Sequence, residues 1–173
     1  MPDTSGFPEF AESSAARLRE TAFLLSRDWH LAQDLTQITL AKVYLKWRRI
    51  EDPHAYANKT LLRTFLDHRR RRSATELIVG EPPQIPTTPD QPELRLTLLQ
   101  ALGHLPPRAR AIIVLRYWED LSIRSVAELL DLSEANVKIQ SMRALGRLRA
   151  LLNDENDDED EGENTTAATR PRD

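Results

Sequence analysis

The most constraining feature of this sequence is the stretch from Ser122 to Arg149, which is typical of two helices joined by a tight turn. Ser122 and Ser133 each precede a helical pattern, where a hydroxyl can accept a hydrogen bond from an amide of the first turn. The first helix has one apolar face, made of Val126, Ala127, Leu129 and Leu130. This stretch therefore predicts a helix-turn-helix.

The second helix of this stretch has two different sides at 100° per residue. One side is an ordinary core stripe of Val137, Ser141, Ala144, Leu145 and Leu148. The other side carries Ala135, Ile139, Met142, Arg143 and Gly146. Apolar side chains beside a base suit a DNA major groove, because thymine methyls accept apolar contacts and arginine reaches guanine edges or phosphates. The alternative is that Ile139 and Met142 only pack on another element.

Composition excludes several kinds of site. The 173 residues contain no cysteine, so a disulfide, a thiolate metal site and a cysteine nucleophile are impossible. Five scattered glycines form no phosphate loop, four histidines lack metal-ligand spacing, and no serine sits in a recognisable triad motif. We therefore expect no enzymatic activity, no metal and no cofactor. No membrane-length apolar run or N-terminal signal is present, so we expect a cytoplasmic protein without membrane contact.

The net charge of -3 conceals a basic folded part. Residues 154–163 hold eight acids in ten positions, whereas residues 1–153 carry 22 Lys and Arg against 18 Asp and Glu. A positive surface suits a polyanionic partner, although Arg-rich surfaces are also commonly just solvated. Residues 154–173 are predicted to be a disordered acidic tail, which either solvates the chain or covers a DNA-facing surface as a phosphate mimic.

Residues 31–49 are predicted to form a helix with two apolar stripes on opposite sides. One stripe holds Leu31, Leu35, Ile38 and Leu45, and the other holds Leu40, Tyr44 and Trp47. A surface helix needs only one such stripe, so two imply either burial on both sides or a protein partner.

A further helix is predicted to begin at Asp52-Pro53, with Asp as the cap and Pro in the first turn. Its inward side is predicted to hold Ala55, Asn58, Leu61, Leu62, Phe65 and Leu66. Its polar side is predicted to hold Tyr56, Lys59, Thr60, Arg63, Asp67 and Arg70. An aromatic among bases suits a nucleic-acid strand whose bases stack, and the alternative is a solvated face with an Arg63–Asp67 ion pair.

The proline-rich stretch at 73–92 contains five prolines, three acids and no Lys or Arg, which is typical of a flexible, extended linker. The predicted organisation is a helical domain over 1–72, the acidic linker over 73–92 and a helix-turn-helix domain over 93–153. The predicted fold class is all-α, with two small helical domains.

Two segments resemble the extracytoplasmic-function (ECF) sigma factors of bacterial RNA polymerase. AQDLTQITLAKVYLKWRRIEDPHAYANKTLLRTFLDHRRRR resembles region 2 of that family, and LLQALGHLPPRARAIIVLRYWEDLSIRSVAELLDLSEANVKIQSMRALGRLRALL resembles region 4. The LPPRARAIIVLRYWEDLS run before a helix-turn-helix is quite specific. The resemblance covers about residues 10–72 and 93–152, and it makes 1–72 region 2 and 93–153 region 4.

The resemblance implies three partners and a set of contact residues. The implied partners are bacterial core RNA polymerase, promoter DNA and an anti-sigma factor. Contact with the polymerase falls on Asp34, Leu35, Gln37, Leu40 and Tyr44. Contact with the minus-10 element, which region 2 would melt, falls on Trp47, Arg48, His54, Tyr56, Asn58, Lys59, Arg63 and Arg70. Contact with the minus-35 element falls on Arg124, Ser133, Asn136, Lys138, Ile139, Met142, Arg143 and Arg147.

The sequence departs from the family pattern at three positions. Many relatives have an acid at Ile38, an Asn at Arg63 and a Gly at Asp131 in the turn of the helix-turn-helix. An Asp tolerates the left-handed conformation better than most residues, so the turn is expected to survive. Two rival functions remain: a stand-alone helix-turn-helix transcriptional regulator, and a signalling adaptor whose helices bind only protein.

Overall fold

The computed structural model describes residues 4–73 and 92–162, with side chains over 4–72 and 98–153. The helices are α1 (Phe7–Ser26), α2 (Trp29–Lys46), α3 (Pro53–Ser73), α4 (Pro92–His104), α5 (Pro107–Ile113), α6 (Ile123–Leu130) and α7 (Glu134–Gly162). A 3-10 turn at Trp47–Arg49 follows α2, and a π-helical turn at Val114–Trp118 follows α5. The described part of the chain contains no strand, which confirms the all-α prediction.

The turn of the helix-turn-helix joins α6 to α7. The Ser122 hydroxyl accepts a hydrogen bond from the Ser125 amide at 3.0 Å, and the Ser133 hydroxyl accepts one from the Asn136 amide at 3.1 Å. Asp131 ends α6 in the left-handed conformation, with φ 55° and ψ 54°. Both predicted caps are confirmed, and the Asp in the turn adopts the conformation that a Gly would favour.

Helices α1, α2 and α3 pack on one another as the first helical module. Its core contains Leu18, Leu25, Leu61 and Phe65, all at most 2% exposed. The α2 side of this core is Ala32, Leu35, Thr36, Thr39 and Val43. The two predicted apolar stripes are therefore partly wrong, because small and Thr side chains fill the helix contact. Two large apolar members of the first stripe are exposed, at 43% for Ile38 and 80% for Leu45, so this stripe is not buried along its whole length.

Helices α4 to α7 form the second module, in which α7 packs against α4, α5 and α6. Val137 is fully buried on the α7 side, and Ile112 is fully buried on the α5 side. The two predicted modules are both present, and α4 begins at Pro92, next to the predicted boundary. Residues 74–91 of the predicted linker lie outside the described residues.

The two modules pack against each other, which the sequence did not predict. Helix α1 contacts α5 and the π-helical turn, while α3 contacts α6. One continuous hydrophobic cluster consequently runs from Phe10 of α1 through Ile112 of α5 to Val137 of α7. Helix α7 thus shares a core with the first module.

The last helix extends further than predicted. Helix α7 continues to Gly162, so the prediction of disorder is wrong for the backbone of 154–162. Residues 163–173 lie outside the described residues. Helical periodicity could not reveal this extension, because these positions carry acids and no apolar side chains.

Two kinds of feature are absent from the described residues. Their helices include none with the length and apolar character of a bilayer span. Their side chains also include no group of three or more His, Asp or Glu arranged to hold a metal ion.

Candidate nucleic-acid interface

The outward face of α7 is open to solvent. Ile139 is 46% exposed and Met142 is 73% exposed, and the side chain of Arg143 is exposed beside them. Lys138 and Arg147 flank this face and are also exposed. The angular prediction is confirmed, and the alternative that Ile139 and Met142 pack on another element of the described chain is wrong. This face combines apolar and cationic groups and has no ionic partner of its own among the described side chains.

Three further residues of the predicted minus-35 set lie around this face with local roles. Ser133 caps α7, and the Asn136 side-chain oxygen accepts a hydrogen bond from the Gln140 amide at 2.9 Å. Arg124 of α6 lies 3.3 Å from Glu128 in an exposed i,i+4 ion pair. Exposed pairs of this type contribute little to stability, so Arg124 is free to exchange partners at small cost.

The polar side of α3 is basic along most of its length. Lys59, Arg63 and Arg70 are exposed, and Arg70 lies 3.9 Å from Asp67. Among the described residues, Asp67 therefore pairs with Arg70. The alternative of an Arg63–Asp67 ion pair is wrong. The assignment of Thr60 to this side is wrong, because Thr60 is 9% exposed.

An aromatic cluster occupies the start of this region. The Trp47 ring lies against Phe7 and Phe10, with centroid separations of 5.4 and 5.3 Å, and its Nε1 donates to the Ser5 carbonyl at 3.0 Å. His54 packs edge-on against Phe10 at 5.0 Å. The Trp47 ring is half-buried and held by α1, and its contact with DNA stays a prediction. Of the remaining residues predicted here, Arg48 is exposed and Tyr56 is half-buried.

Asn58 of α3 faces the second module. Its Nδ2 donates to Glu119 Oε2 at 2.9 Å, and the Glu119 side chain is only 4% exposed. A carboxylate that is this buried requires hydrogen-bond donors, which α1 and α3 provide. The prediction that Asn58 faces inward is confirmed. Its partner, Glu119, lies 61 residues away and could not be identified from the spacing of residues in the sequence.

The predicted polymerase contacts divide between surface and core. Asp34 and Gln37 of α2 are exposed, and Tyr44 is 44% exposed with its ring centroid 5.0 Å from that of Phe7. Leu35 is 1% exposed, so it does not offer its side chain to a partner, and the prediction that Leu35 contacts the polymerase is wrong. Leu40 is half-buried and packs in part against the same core, and its contact with the polymerase stays a prediction.

Two exposed residues of α2 were missed as contact candidates. Ile38 and Leu45 share the outer surface of α2 with Asp34 and Gln37. The available signal was the surplus of large apolar side chains on a helix whose inner stripe is already filled by Ala, Thr and Val.

An apolar groove lies between the modules. It has a volume of about 480 Å³ and is walled by Phe23 and Trp29 from the first module and by Leu102, Leu145 and Leu148 from the second. A groove of this size and apolarity suits an apolar side-chain cluster from a protein partner.

Arg110 is a buried cation at the contact between the modules. It is 9% exposed, and its Nε has no hydrogen-bond partner among the described residues. Burial, followed by the charges of Arg27 and Arg69, lowers the pKa of Arg110 to about 10. Arg27 lies against Gly103, where a Cβ would fall 1.1 Å from its Nη1. Cations from both modules thus meet here.

Two family models match this chain. The model described as Sigma-70 region 2 matches residues 10–75, and the model described as Sigma-70, region 4 matches residues 95–148. An RNA polymerase sigma-E factor from Streptomyces coelicolor is 33% identical over 157 residues, which cover 88% of this chain and 89% of that protein. The ECF RNA polymerase sigma factor SigM from Bacillus subtilis is 29% identical and covers 76% of this chain and 86% of its own length.

Solved structures show the same architecture. The sigma factor RpoE from Bartonella quintana, solved with the anti-sigma factor NepR, has a TM-score of 0.71 at 25% identity and covers 85% of this chain and 96% of its own. CnrH, solved with the cytosolic domain of CnrY, has a TM-score of 0.60 at 23% identity, covering 88% and 90%. With helices α1 to α3 inside the region 2 match and α5 to the exposed face of α7 inside the region 4 match, the chain belongs to the ECF sigma factors of bacterial RNA polymerase.

Proposed function

We propose that this chain binds core RNA polymerase and directs it to promoters as a subunit without catalytic activity of its own. In this proposal α7 reads the minus-35 element, α3 contacts the minus-10 element and α2 binds the polymerase. The observation that carries the proposal is the exposed face of α7, where Ile139, Met142 and Arg143 lie side by side. Because its partners are polymerase and promoter DNA, we place its action in the bacterial cytoplasm.

The minus-35 proposal depends on how α7 presents its side chains. An α-helix fits the B-DNA major groove, where Arg bonds guanine and apolar side chains contact thymine methyls. Lys138 and Arg147 flank the reading face and are positioned to contact phosphates, which provide affinity without sequence preference. Ser133 fixes the helix start, since its cap orients the first turn.

We expect Arg143→Ala to weaken binding to a specific minus-35 sequence by about 1–3 kcal/mol, because a bidentate arginine–guanine contact is lost. The measurement is the affinity of the polymerase holoenzyme for promoter DNA with matched and scrambled minus-35 elements. Arg149→Ala serves as the matched control, since Arg149 is an exposed arginine of α7 that lies six residues beyond Arg143 along the helix. Equal losses on both DNAs would make Arg143 a phosphate contact, and no loss would refute this docking of α7.

In this proposal the basic side of α3 binds a single DNA strand of the minus-10 element. Lys59, Arg63 and Arg70 give this side positive charge, and Tyr56 is a half-buried aromatic beside them. Basic grooves with aromatic platforms bind unpaired bases without strict sequence preference. Arg48 and His54, at the entrance to α3, complete this surface, whereas Trp47 supports it from within the aromatic cluster.

In this proposal the outer surface of α2 binds the polymerase. Ile38 and Leu45 are exposed apolar side chains flanked by polar Asp34 and Gln37, which is the composition of an interface centre with a polar rim. Tyr44 extends this surface towards the aromatic cluster.

We expect Leu45→Ser to weaken binding to core polymerase by at least about tenfold, because an interface centre carries most of the binding energy. The measurement is the affinity of labelled protein for purified core polymerase. Met142→Ser provides a crossed control: it also removes an exposed apolar side chain, yet it should weaken promoter binding and leave polymerase affinity unchanged. Identical polymerase affinities for Leu45→Ser and the unmodified chain would exclude this surface.

We further propose that the apolar groove between the modules receives an anti-sigma factor. The support is the groove itself, walled by Trp29 and Leu148, and the similarity to a sigma factor solved with its anti-sigma factor. An amphipathic helix offers the apolar side chains that such a groove can bury.

Transcription by reconstituted polymerase tests the function as a whole. Core polymerase supplied with this chain should initiate from specific sites in a genomic promoter library. Operator binding without polymerase would support the stand-alone regulator, and neither activity would support the protein-binding adaptor. The names of the relatives favour the sigma factor over both rivals.

A further inference from the structure

Three arginine side chains converge where the ends of α1 and α3 come close to α5. Arg110 of α5 is 9% exposed, and its Nε has no hydrogen-bond partner among the described residues. Burial lowers the pKa of Arg110, and the charges of Arg27 and Arg69 lower it further. Charges influence one another in this way only over short distances, so the three guanidinium groups share one region of the protein. We name Arg27, Arg69 and Arg110 the arginine cluster.

The Arg27 guanidinium packs directly against Gly103 of α4. A Cβ at Gly103 would lie 1.1 Å from Arg27 Nη1 and 2.0 Å from Arg27 Cζ, so any other residue at this position would displace the guanidinium. Gly103 is not among the residues with positive φ. Its missing side chain therefore allows the close approach of Arg27 and does not serve an unusual backbone conformation.

The arginine cluster has no acidic counterpart in the described part of the chain. None of the ion pairs between described side chains includes Arg27, Arg69 or Arg110. A buried guanidinium without an anion is costly, and the repulsion of two further cations adds to that cost. An anion placed among the three groups would relieve both effects at once.

We propose that the arginine cluster binds the phosphate group of a small molecule, whose oxygens accept hydrogen bonds from the three guanidinium groups. The guanidinium fork matches the oxygens of a phosphate. A carboxylate would offset only one of the three positive charges, whereas a phosphate group carries more than one negative charge at neutral pH. Arg69 is exposed and Arg27 is half-buried, so the ligand enters from their side and Arg110 forms the buried end of the site.

The burial of Arg110 favours a small ligand over a nucleic-acid strand. A strand follows a groove of exposed cations, and α3 offers such cations along its polar side. The phosphate could belong to inorganic pyrophosphate or to a nucleotide, because the two present the same chemistry to the cluster. A ligand that binds only the folded chain stabilises it, so the arginine cluster makes stability depend on ligand concentration. This site is separate from the surfaces proposed for DNA and polymerase.

The experiment measures thermal unfolding and calorimetric binding of the full chain in a buffer without phosphate. The probes are inorganic pyrophosphate and ATP, and sodium chloride at matched ionic strength is the salt control. We expect pyrophosphate at about a hundred times its Kd to raise the unfolding midpoint by roughly 5–10 °C, and sodium chloride to raise it much less. Tighter binding of ATP would identify a nucleotide as the source of the phosphate, and equal or weaker binding would identify the free anion. Either result supports the site.

Four variants separate a built site from general positive charge. Arg110→Met and Arg69→Gln each remove one guanidinium and should weaken pyrophosphate binding by about tenfold, the loss expected for a charged hydrogen bond. Gly103→Ala keeps all three charges and suits a helix, but it displaces the Arg27 guanidinium, so binding should weaken by at least about threefold. Arg49→Gln is the matched control, because Arg49 is exposed and precedes α3, roughly 25 Å of helix away from Arg69.

The Arg110→Met variant also guards against a purely structural explanation. It removes a buried cation, so it should remain folded and yet lose its response to pyrophosphate, and circular dichroism checks that its helices persist. Unchanged unfolding midpoints of the unmodified chain with both probes would overturn the proposal, as would equal losses in Arg49→Gln and Arg69→Gln. If Arg110→Met weakened binding of a scrambled single-stranded oligonucleotide as much as that of pyrophosphate, the cluster would be a nucleic-acid contact instead.

Discussion

Leu35→Ala should destabilise the fold by about 2–5 kcal/mol, because it removes a fully buried side chain and leaves a cavity. Leu35 is 1% exposed and lies where α2 meets the core of the first module. The sequence assigned Leu35 to the polymerase surface, so the same substitution distinguishes the two roles. Urea denaturation followed by far-ultraviolet circular dichroism gives the free energy of unfolding.

Leu45→Ala is the matched control for this experiment. It removes the same atoms from the same helix, but Leu45 is 80% exposed, so the free energy of unfolding should change by less than about 0.5 kcal/mol. If Leu35→Ala instead left stability unchanged and weakened polymerase binding, the burial of Leu35 in the working protein would be contradicted.

Arg110→Met should stabilise the protein by about 1–4 kcal/mol at neutral pH, because it replaces a buried cation with an apolar side chain of similar length. Desolvation is the main cause of the lowered pKa of Arg110, and the charges of Arg27 and Arg69 add to it. A base whose pKa falls on folding destabilises the folded state at every pH below that pKa. The cost is relieved only as the pH rises from about 10 towards the higher pKa of an arginine in the unfolded chain, so it is fully present at pH 7.

Arg108→Met is the matched control on the same helix. Arg108 is exposed, and its Nη2 donates to the Leu130 carbonyl at 3.4 Å, so its replacement should leave stability unchanged or slightly lower. Thermal unfolding at pH 7 compares the two variants. A loss of stability in Arg110→Met would mean that Arg110 has an acidic partner in the working protein.

Much of the fold was accessible from sequence because it depends on local chemistry. The caps at Ser122 and Ser133 and the faces of α7 follow from interactions within a few residues, and the structure agrees with them. The length of α7 was not accessible, since the helix continues through positions whose side chains give no periodic signal.

The errors concern side chains whose environment is set by distant parts of the chain. Leu35 and Ile38 look alike in a helical projection, and only the fit of Thr36 and Thr39 into the core decides which is buried. The family resemblance assigned Trp47 to DNA, and it gave no sign that α1 holds the ring of this residue. Thr21 is a buried polar residue of α1 whose hydrogen-bond partners, Trp118 and Glu119, lie about a hundred residues away.

The π-helical turn at Val114–Trp118 affects how the hydrogen bond between Asn58 and Glu119 can be recognised in related sequences. The Glu119 amide donates to the Val114 carbonyl, five residues back, so the turn holds one residue more than an α-helical turn would. One residue corresponds to about 100° of rotation around a helix axis, and this rotation sets the direction in which Glu119 leaves the turn. A relative with an acid at the same position but a regular α-helical turn would point it elsewhere. An aligned acid is therefore not enough to predict this hydrogen bond in a relative. The number of residues in the preceding turn must match as well.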